Sequence, residues 1–147
     1  MSVKNVTVKE AHQKQSEGYT YVDVRSVPEF DAGHPAGATN VPLLNRDPRS
    51  GQMTPNAEFV AIMRASFPAD TKLLIGCQVG GRSAQAAQLL AGSGFADVSN
   101  VLGGYSGGRD QMTGRPIEGW SQAGLPVETT APGRTYDDVR TRAKGNR

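Results

Sequence analysis

The sequence contains very little cysteine and histidine: one cysteine, Cys77, and two histidines among 147 residues. A single cysteine excludes an internal disulfide framework, and it excludes a mechanism in which a second cysteine resolves an intramolecular disulfide. One cysteine and two histidines are also too few for a closed zinc site. We therefore expect a protein that holds no metal ion and no other cofactor.

Long apolar runs are missing as well. No stretch approaches the roughly 18 consecutive apolar residues that span a bilayer, and the first ten residues lack the apolar segment of a secretory signal. We expect no membrane contact and a cytoplasmic, reducing location. The composition, with 37% hydrophobic and 20% charged residues, is typical of one loop-rich globular domain.

Charge of one sign is concentrated only near the C-terminus. Residues 129–147 carry a net charge of +3 and the whole chain +2, which leaves −1 for residues 1–128. A nearly neutral body gives no sign of a nucleic-acid partner. The distribution predicts a folded domain over residues 1–128 and a flexible basic tail over residues 129–147.

Helical and strand patterns alternate along the chain. Thr7 and Glu10 form a capping box before a helix over residues 8–16, and further helices are expected over residues 27–30, 55–67 and 83–91 and near Trp120. Residues 19–24, 39–41, 72–77 and 98–102 have the composition of strands. This alternation predicts a three-layer α/β/α fold with a mostly parallel sheet, in which ligands bind beyond the carboxyl ends of the strands.

The loop from Cys77 to Ser83 follows one of these predicted strands and precedes a helix. Backbone N–H groups in a glycine-rich turn, together with the first turn of the helix, attract an anion. Gly80 and Gly81 allow the backbone to approach a ligand closely. A thiol at this place is favoured as its anion, so Cys77 is a candidate nucleophile. The Arg82 guanidinium suits an oxyanion such as sulfite or thiosulfate, which makes it a candidate catalytic partner.

The rest of the sequence limits the reactions that this thiol can carry out. Transfer of a single sulfur atom needs neither a metal nor an obligatory general base. A thiolate attacks a sulfane sulfur, sulfite leaves, and a second nucleophile later removes the sulfur atom. Sulfur transfer therefore suits the residues that this loop provides.

Three segments in order resemble the rhodanese family. Residues 22–42 are similar to its N-terminal signature, residues 77–83 to the active loop of its single-domain form, and residues 102–127 to its C-terminal signature. The resemblance as a whole spans about residues 3–128. The resemblance implies a sheet of about five parallel strands and a sulfurtransferase that carries a persulfide on Cys77. It would move sulfur from thiosulfate or a persulfide donor to a thiol, cyanide or protein acceptor.

The resemblance also implies roles for other residues. The backbone of residues 78–83 would cradle the persulfide, so the residues expected to bind substrate, besides Arg82, are Gln78, Val79, Gly80, Gly81 and Ser83. Asp23 and Arg25 would shape the site from a neighbouring strand end, and His34 would be structural. Residues 106–118 are an insert relative to the family pattern. They could border the active site or form an inert surface loop.

Other functions remain open from the residues alone. Dual-specificity phosphatases of related fold separate their cysteine and arginine by five residues, whereas four separate Cys77 from Arg82. A phosphatase or arsenate reductase is therefore an alternative. The sequence of residues 76–83 also nearly matches the pattern of a phosphate-binding loop, although Arg82 stands where that pattern has a lysine. A binding module without activity is a third alternative, but such modules of this family often lack the cysteine.

Overall fold

The computed structural model of the chain describes residues 3–47, 49–110 and 112–145. Its strands are β1 (Lys4–Val6), β2 (Thr20–Asp23), β3 (His34–Pro35), β4 (Thr39–Asn40), β5 (Leu44–Arg46), β6 (Met53–Pro55), β7 (Lys72–Gly76), β8 (Asp97–Val101), β9 (Gly108–Arg109), β10 (Pro116–Ile117) and β11 (Val127–Glu128). Its helices are α1 (Val8–Ser16), α2 (Val27–Ala32), α3 (Phe59–Ser66), α4 (Gly81–Gly92) and α5 (Tyr136–Gly145).

A five-stranded sheet with the order β1-β8-β7-β2-β4 forms the centre of the fold, and every neighbouring pair in it is parallel. This confirms the predicted three-layer α/β fold with about five parallel strands. Three antiparallel pairs lie outside it: β5 with β6, β9 with β10, and β3 with β11. The sequence reading did not predict β1, whose only buried side chain is Val6.

The two faces of the sheet carry separate hydrophobic clusters. Because side chains alternate along a strand, Leu73 and Ile75 of β7 enter one cluster and Leu74 enters the other. Helices α3, α4 and α5 cover the first face. Helices α1 and α2 cover the second face together with Trp120, which is fully buried and donates its indole N–H to the Pro126 carbonyl at 2.7 Å.

Helix α1 forms where the capping box predicted it. The Thr7 N–H donates to Glu10 Oε1 at 2.8 Å, and the Glu10 N–H donates to Thr7 Oγ1 at 3.2 Å. Helix α4 begins at Gly81, two residues before its predicted start. The active loop is therefore shorter than expected, and Arg82 and Ser83 lie in the first turn of the helix.

Two elements differ from their predictions. Thr54 and Pro55 belong to strand β6, and α3 starts only at Phe59. The reason is Asn56, whose Nδ2 donates to the Pro42 carbonyl at 2.9 Å while its Oδ1 accepts the Glu58 N–H at 3.1 Å. Residues 120–124 form turns instead of the helix expected near Trp120.

The predicted flexible tail also differs from the structure, because residues 136–145 form helix α5. Val139 and Ala143 of α5 are buried in the same cluster as α3 and α4, with 1% and 7% of their surfaces exposed. Basic side chains of the helix are paired: Arg140 and Lys144 contact Glu58 at 3.3 and 2.9 Å. The high proportion of charged residues in this segment obscured the four-residue spacing of its two buried residues, Val139 and Ala143.

Within residues 3–47, 49–110 and 112–145, none of the helices combines the length and the apolar character needed to cross a bilayer.

Candidate active site

Cys77 directly follows β7, which lies between β2 and β8 in the centre of the sheet. Its Sγ accepts the Gly80 N–H at 3.0 Å and lies 3.3 Å from Ser83 Oγ. Gly80 has a φ of +114°, a left-handed conformation that favours glycine and turns the loop back over the sulfur. Cys77 is 1% exposed. The sulfur therefore faces an amide N–H and a hydroxyl at the closed end of the loop.

Ser83, in the first turn of α4, extends this contact into the protein. Its Oγ lies 2.6 Å from Asn100 Oδ1 and 3.1 Å from the Gly80 carbonyl oxygen. Both Ser83 and Asn100 are buried, and Asn100 Nδ2 donates to Asn5 Oδ1 at 3.2 Å. Sequence reasoning found Ser83 but neither asparagine, because nothing local marks a strand residue as the neighbour of a loop.

Asp23 and Arg25 lie beneath the loop as a buried ion pair. Arg25 Nη2 lies 2.7 Å from Asp23 Oδ2, and each side chain is 2% exposed. The same guanidinium donates to Gln78 Oε1 at 2.9 Å and to the Gly33 carbonyl at 2.6 Å. Burial disfavours the charged guanidinium, but the hydrogen bonds and charge of Asp23 outweigh this effect and raise the pKa of Arg25. The pair thus holds Gln78 in place from below.

A second segment, residues 104–106, packs its backbone directly against the backbone of the Cys77 loop. The Tyr105 N–H donates to the Cys77 carbonyl at 2.8 Å, and the Ser106 N–H and Oγ donate to the Gln78 carbonyl at 3.0 and 3.1 Å. A Cβ at Gly104 would collide with the Cys77 carbonyl oxygen. This close approach of the two backbones is possible only because residue 104 is a glycine. In the sequence, the consecutive glycines Gly103 and Gly104 were the feature that could indicate it.

Arg82 lies at the opening of the loop, where it forms a bidentate pair with Glu29. The Nη1 to Oε1 distance is 2.7 Å and the Nη2 to Oε2 distance is 2.9 Å. The Arg82 hydrogen bond, with further bonds from Ser26, lowers the pKa of Glu29 to about 2. The structure therefore places the predicted oxyanion-binding arginine in an ion pair. Glu29 was missed as a site residue because its partner Arg82 lies 53 positions away along the chain.

The insert borders the loop. Its strands β9 and β10 form a hairpin, and a Cβ at Gly108 would lie only 2.6 Å from the Val79 carbonyl oxygen. A groove of about 560 Å³ runs between the hairpin and the loop. Its lining includes Val79, Gly80, Gly81, Asn100, Arg109, Met112 and Ile117. Of the two alternatives that the sequence left open, the structure favours the insert as a wall of the site.

His34 lies apart from the loop and has buried partners of its own. Its Nδ1 lies 2.8 Å from the Phe30 carbonyl oxygen, its Nε2 lies 3.2 Å from the Thr130 carbonyl oxygen, and its ring stacks on Phe30. These contacts tie α2 to the segment before α5. In the part of the chain that the structure describes, no group of three or more His, Cys, Asp or Glu side chains could hold a metal ion.

Comparisons with known proteins agree with this architecture. The model of the Rhodanese-like domain family matches residues 7–111. The chain is 36% identical over 124 residues to thiosulfate sulfurtransferase 16, chloroplastic, of Arabidopsis thaliana, a match over 84% of this chain and 92% of that protein. It is 35% identical over 124 residues to the senescence-associated protein DIN1 of Raphanus sativus, covering 84% of this chain but only 60% of that longer protein.

A solved structure has the same fold. The crystal structure of Rv0390 from M. tuberculosis superimposes with a TM-score of 0.70 at 26% identity, over 88% of this chain and 100% of that chain. The family match includes the ion pair of β2, the Cys77 loop and the glycine segment packed on it. The chain therefore belongs to the rhodanese-like domain family.

Proposed function

We propose that this protein is a sulfurtransferase that carries sulfane sulfur as a persulfide on Cys77. The Cys77 thiolate attacks the outer sulfur of thiosulfate, a new S–S bond forms, and the old S–S bond breaks as sulfite leaves with its electron pair. An acceptor nucleophile then attacks the outer sulfur of the persulfide, and the Cys77 thiolate leaves. Both steps exchange one bond to sulfur for another, so no external oxidant or reductant is needed.

The observation that carries this proposal is the environment of Cys77 Sγ. The Gly80 N–H reaches it at 3.0 Å and the Ser83 hydroxyl lies at 3.3 Å. A hydrogen-bond donor aimed at a sulfur atom, as the Gly80 N–H is here, stabilises the negative charge of a thiolate or a persulfide. The following turn of α4 adds the positive end of a helix dipole.

The burial of Cys77 limits what can react with it. With 1% of the residue exposed, a reactant must be small and must bring its reacting atom into the loop as a terminal atom or group. Thiosulfate and small persulfides have such an atom. The relative named thiosulfate sulfurtransferase 16 supports the same class of sulfur-containing substrate.

The proposal is tested by intact mass after incubation with thiosulfate. We expect the wild type to gain one sulfur atom and to lose it on addition of cyanide. The Cys77→Ser variant should gain none, and because Cys77 is the only cysteine, any gain in the variant identifies adventitious modification. A wild type that stays unmodified at saturating thiosulfate and persulfide donors would contradict the proposal.

The same experiment separates the other candidates. Release of phosphate from an aryl phosphate without sulfur uptake would favour a phosphatase. The engagement of Arg82 by Glu29 argues against that activity, because the guanidinium fork is already occupied by a carboxylate. A binding module should keep its partner in the Cys77→Ser variant.

A further inference from the structure

We propose that Asn100 is a positioning residue that directs the Ser83 hydroxyl toward the sulfur of Cys77, through a chain of hydrogen bonds whose direction can reverse. The purpose of this hydrogen-bond chain rests on the proposed function, because that function needs a sulfur that alternates between neutral and anionic forms. Its test measures thiol reactivity alone, so the two proposals can fail separately.

The chain has three links. Cys77 Sγ lies 3.3 Å from Ser83 Oγ, Ser83 Oγ lies 2.6 Å from Asn100 Oδ1, and Asn100 Nδ2 lies 3.2 Å from Asn5 Oδ1. Asn5 and Asn100 are register neighbours on the parallel strands β1 and β8, so their side chains lie on the same face of the sheet. The chain thus runs from the buried sulfur to Asn5, which is exposed.

One direction of the chain suits the neutral thiol. The S–H donates to Ser83 Oγ, the single hydroxyl hydrogen of Ser83 points to Asn100 Oδ1, and Asn100 Nδ2 donates to Asn5. In this arrangement the hydroxyl cannot donate to the sulfur, because its only hydrogen is engaged.

The other direction suits the anion. A thiolate or a deprotonated persulfide has no hydrogen to donate. Its hydrogen bond with Ser83 therefore requires the Ser83 hydroxyl to be the donor. If the Asn100 amide rotates by half a turn, Nδ2 donates to Ser83 Oγ and the hydroxyl hydrogen is free to turn to the sulfur. The Asn5 amide can rotate in the same way, because its side chain reaches solvent. Every hydrogen bond is then kept in both states.

The amide at position 100 allows both directions, because it carries a donor and an acceptor that exchange places when it rotates. An aspartate accepts but does not donate, and a leucine of similar size does neither. Without a donor at position 100, the Ser83 hydroxyl has the Gly80 carbonyl oxygen at 3.1 Å as a competing acceptor. The amide therefore does more than fill space between α4 and β8.

The test is the pH dependence of Cys77 alkylation by iodoacetamide, with the fold checked by circular dichroism. In Asn100→Leu we expect the midpoint of the alkylation profile to rise by about one pH unit, which slows alkylation about tenfold at pH values well below the wild-type midpoint. In Asn100→Asp we expect a larger rise, because a fixed acceptor and a negative charge both oppose the anion.

A double-mutant comparison shows whether Asn100 acts through Ser83. In a Ser83→Ala background, Asn100→Leu should change the midpoint no further. The matched control is Ser99→Ala: Ser99 Oγ is buried without a hydrogen-bond partner, and strand alternation directs it to the opposite face of the sheet. This variant should keep the wild-type midpoint.

Three outcomes would overturn the proposal. One is a wild-type midpoint in folded Asn100→Leu, and another is an effect of Asn100→Leu that persists in full without the Ser83 hydroxyl. If Asn100→Leu does not fold, a wild-type midpoint in Asn100→Asp is the third. If the wild type takes up no sulfur, the proposed function is refuted, but the proposal about the hydrogen-bond chain is not.

Discussion

The protein holds two arginine–carboxylate pairs near Cys77, and they differ in where they lie. The floor of the site consists of the buried pair Asp23 and Arg25, with 2% of each side chain exposed, and of the half-buried Gln78 that Arg25 contacts. The rim of the site (Glu29, Arg82, Val79 and Met112) reaches solvent, with 21% and 26% of the Arg82 and Glu29 side chains exposed. The same chemistry therefore serves two purposes.

The difference in burial decides what each pair does. A buried pair has given up its hydration, so removing one partner leaves a charge that nothing else can stabilise. A partly exposed pair retains contact with water and can be broken at small cost. The floor thus fixes the loop from below, whereas the rim can rearrange when a substrate arrives.

Arg25→Met should have the largest effect, because it leaves the Asp23 carboxylate buried without its counter-ion. We expect a loss of about 3–5 kcal/mol in the free energy of unfolding, measured by urea titration. The matched control adds Asp23→Asn to Arg25→Met, which removes both charges and should restore part of the lost stability. A single-variant loss no larger than the value measured for the rim pair would place the floor in the same class as the rim.

Glu29→Gln should have an intermediate effect that depends on pH. The folded pKa of Glu29 is about 2, against an ordinary value of 4.5, so between these values the unfolded chain binds more protons and stability rises with pH. The stabilisation is present above about pH 5 and lost as the pH falls toward the folded value. Because both side chains are partly exposed, we expect it to amount to only about 1–3 kcal/mol.

The measurement is urea unfolding at several pH values between 2 and 7. The variant should lose stability at neutral pH, and its profile should be flatter than that of the wild type on the acidic side. If the wild-type and variant profiles are equally steep, the pH dependence of stability comes from other carboxylates.

Met112→Ala should have the smallest effect, because this rim residue is 95% exposed. We expect its free energy of unfolding to change by no more than about 0.5 kcal/mol. Met63→Ala is the matched comparison, since Met63 is fully buried in the core and its truncation should cost about 2–5 kcal/mol. Thermal melts of the two variants provide the measurement, and equal shifts would contradict the difference in packing.

The sequence indicated those parts of the fold and site that depend on neighbours along the chain. Helix α1 is specified by Thr7 and Glu10, three residues apart, and the loop after Cys77 by its two glycines. The alternation of patterns was sufficient to predict the parallel sheet. These signals act within a few residues, so they can be seen without knowing the fold.

The remainder depends on contacts between distant residues. The partner of Arg82 is Glu29, 53 positions earlier, and the partner of Asn100 is Asn5, 95 positions away. Strand β1 exists because it pairs with β8, since three residues with one buried side chain carry no strand pattern of their own. Helix α5 was missed for the same reason, because the burial of its Val139 and Ala143 depends on the packing of the helix on α3 and β4.

The central place of β7 has a consequence for how the sulfur can be reached. Local opening of a folded protein is easiest at edges and ends, and hardest for a strand with partners on both sides. Cys77 is attached to such a strand, so fraying of the outer strands does not uncover it. A reagent too large to enter the loop must wait for the loop and the segment packed on it to open, and its rate of reaction would then measure the population of that rare open form.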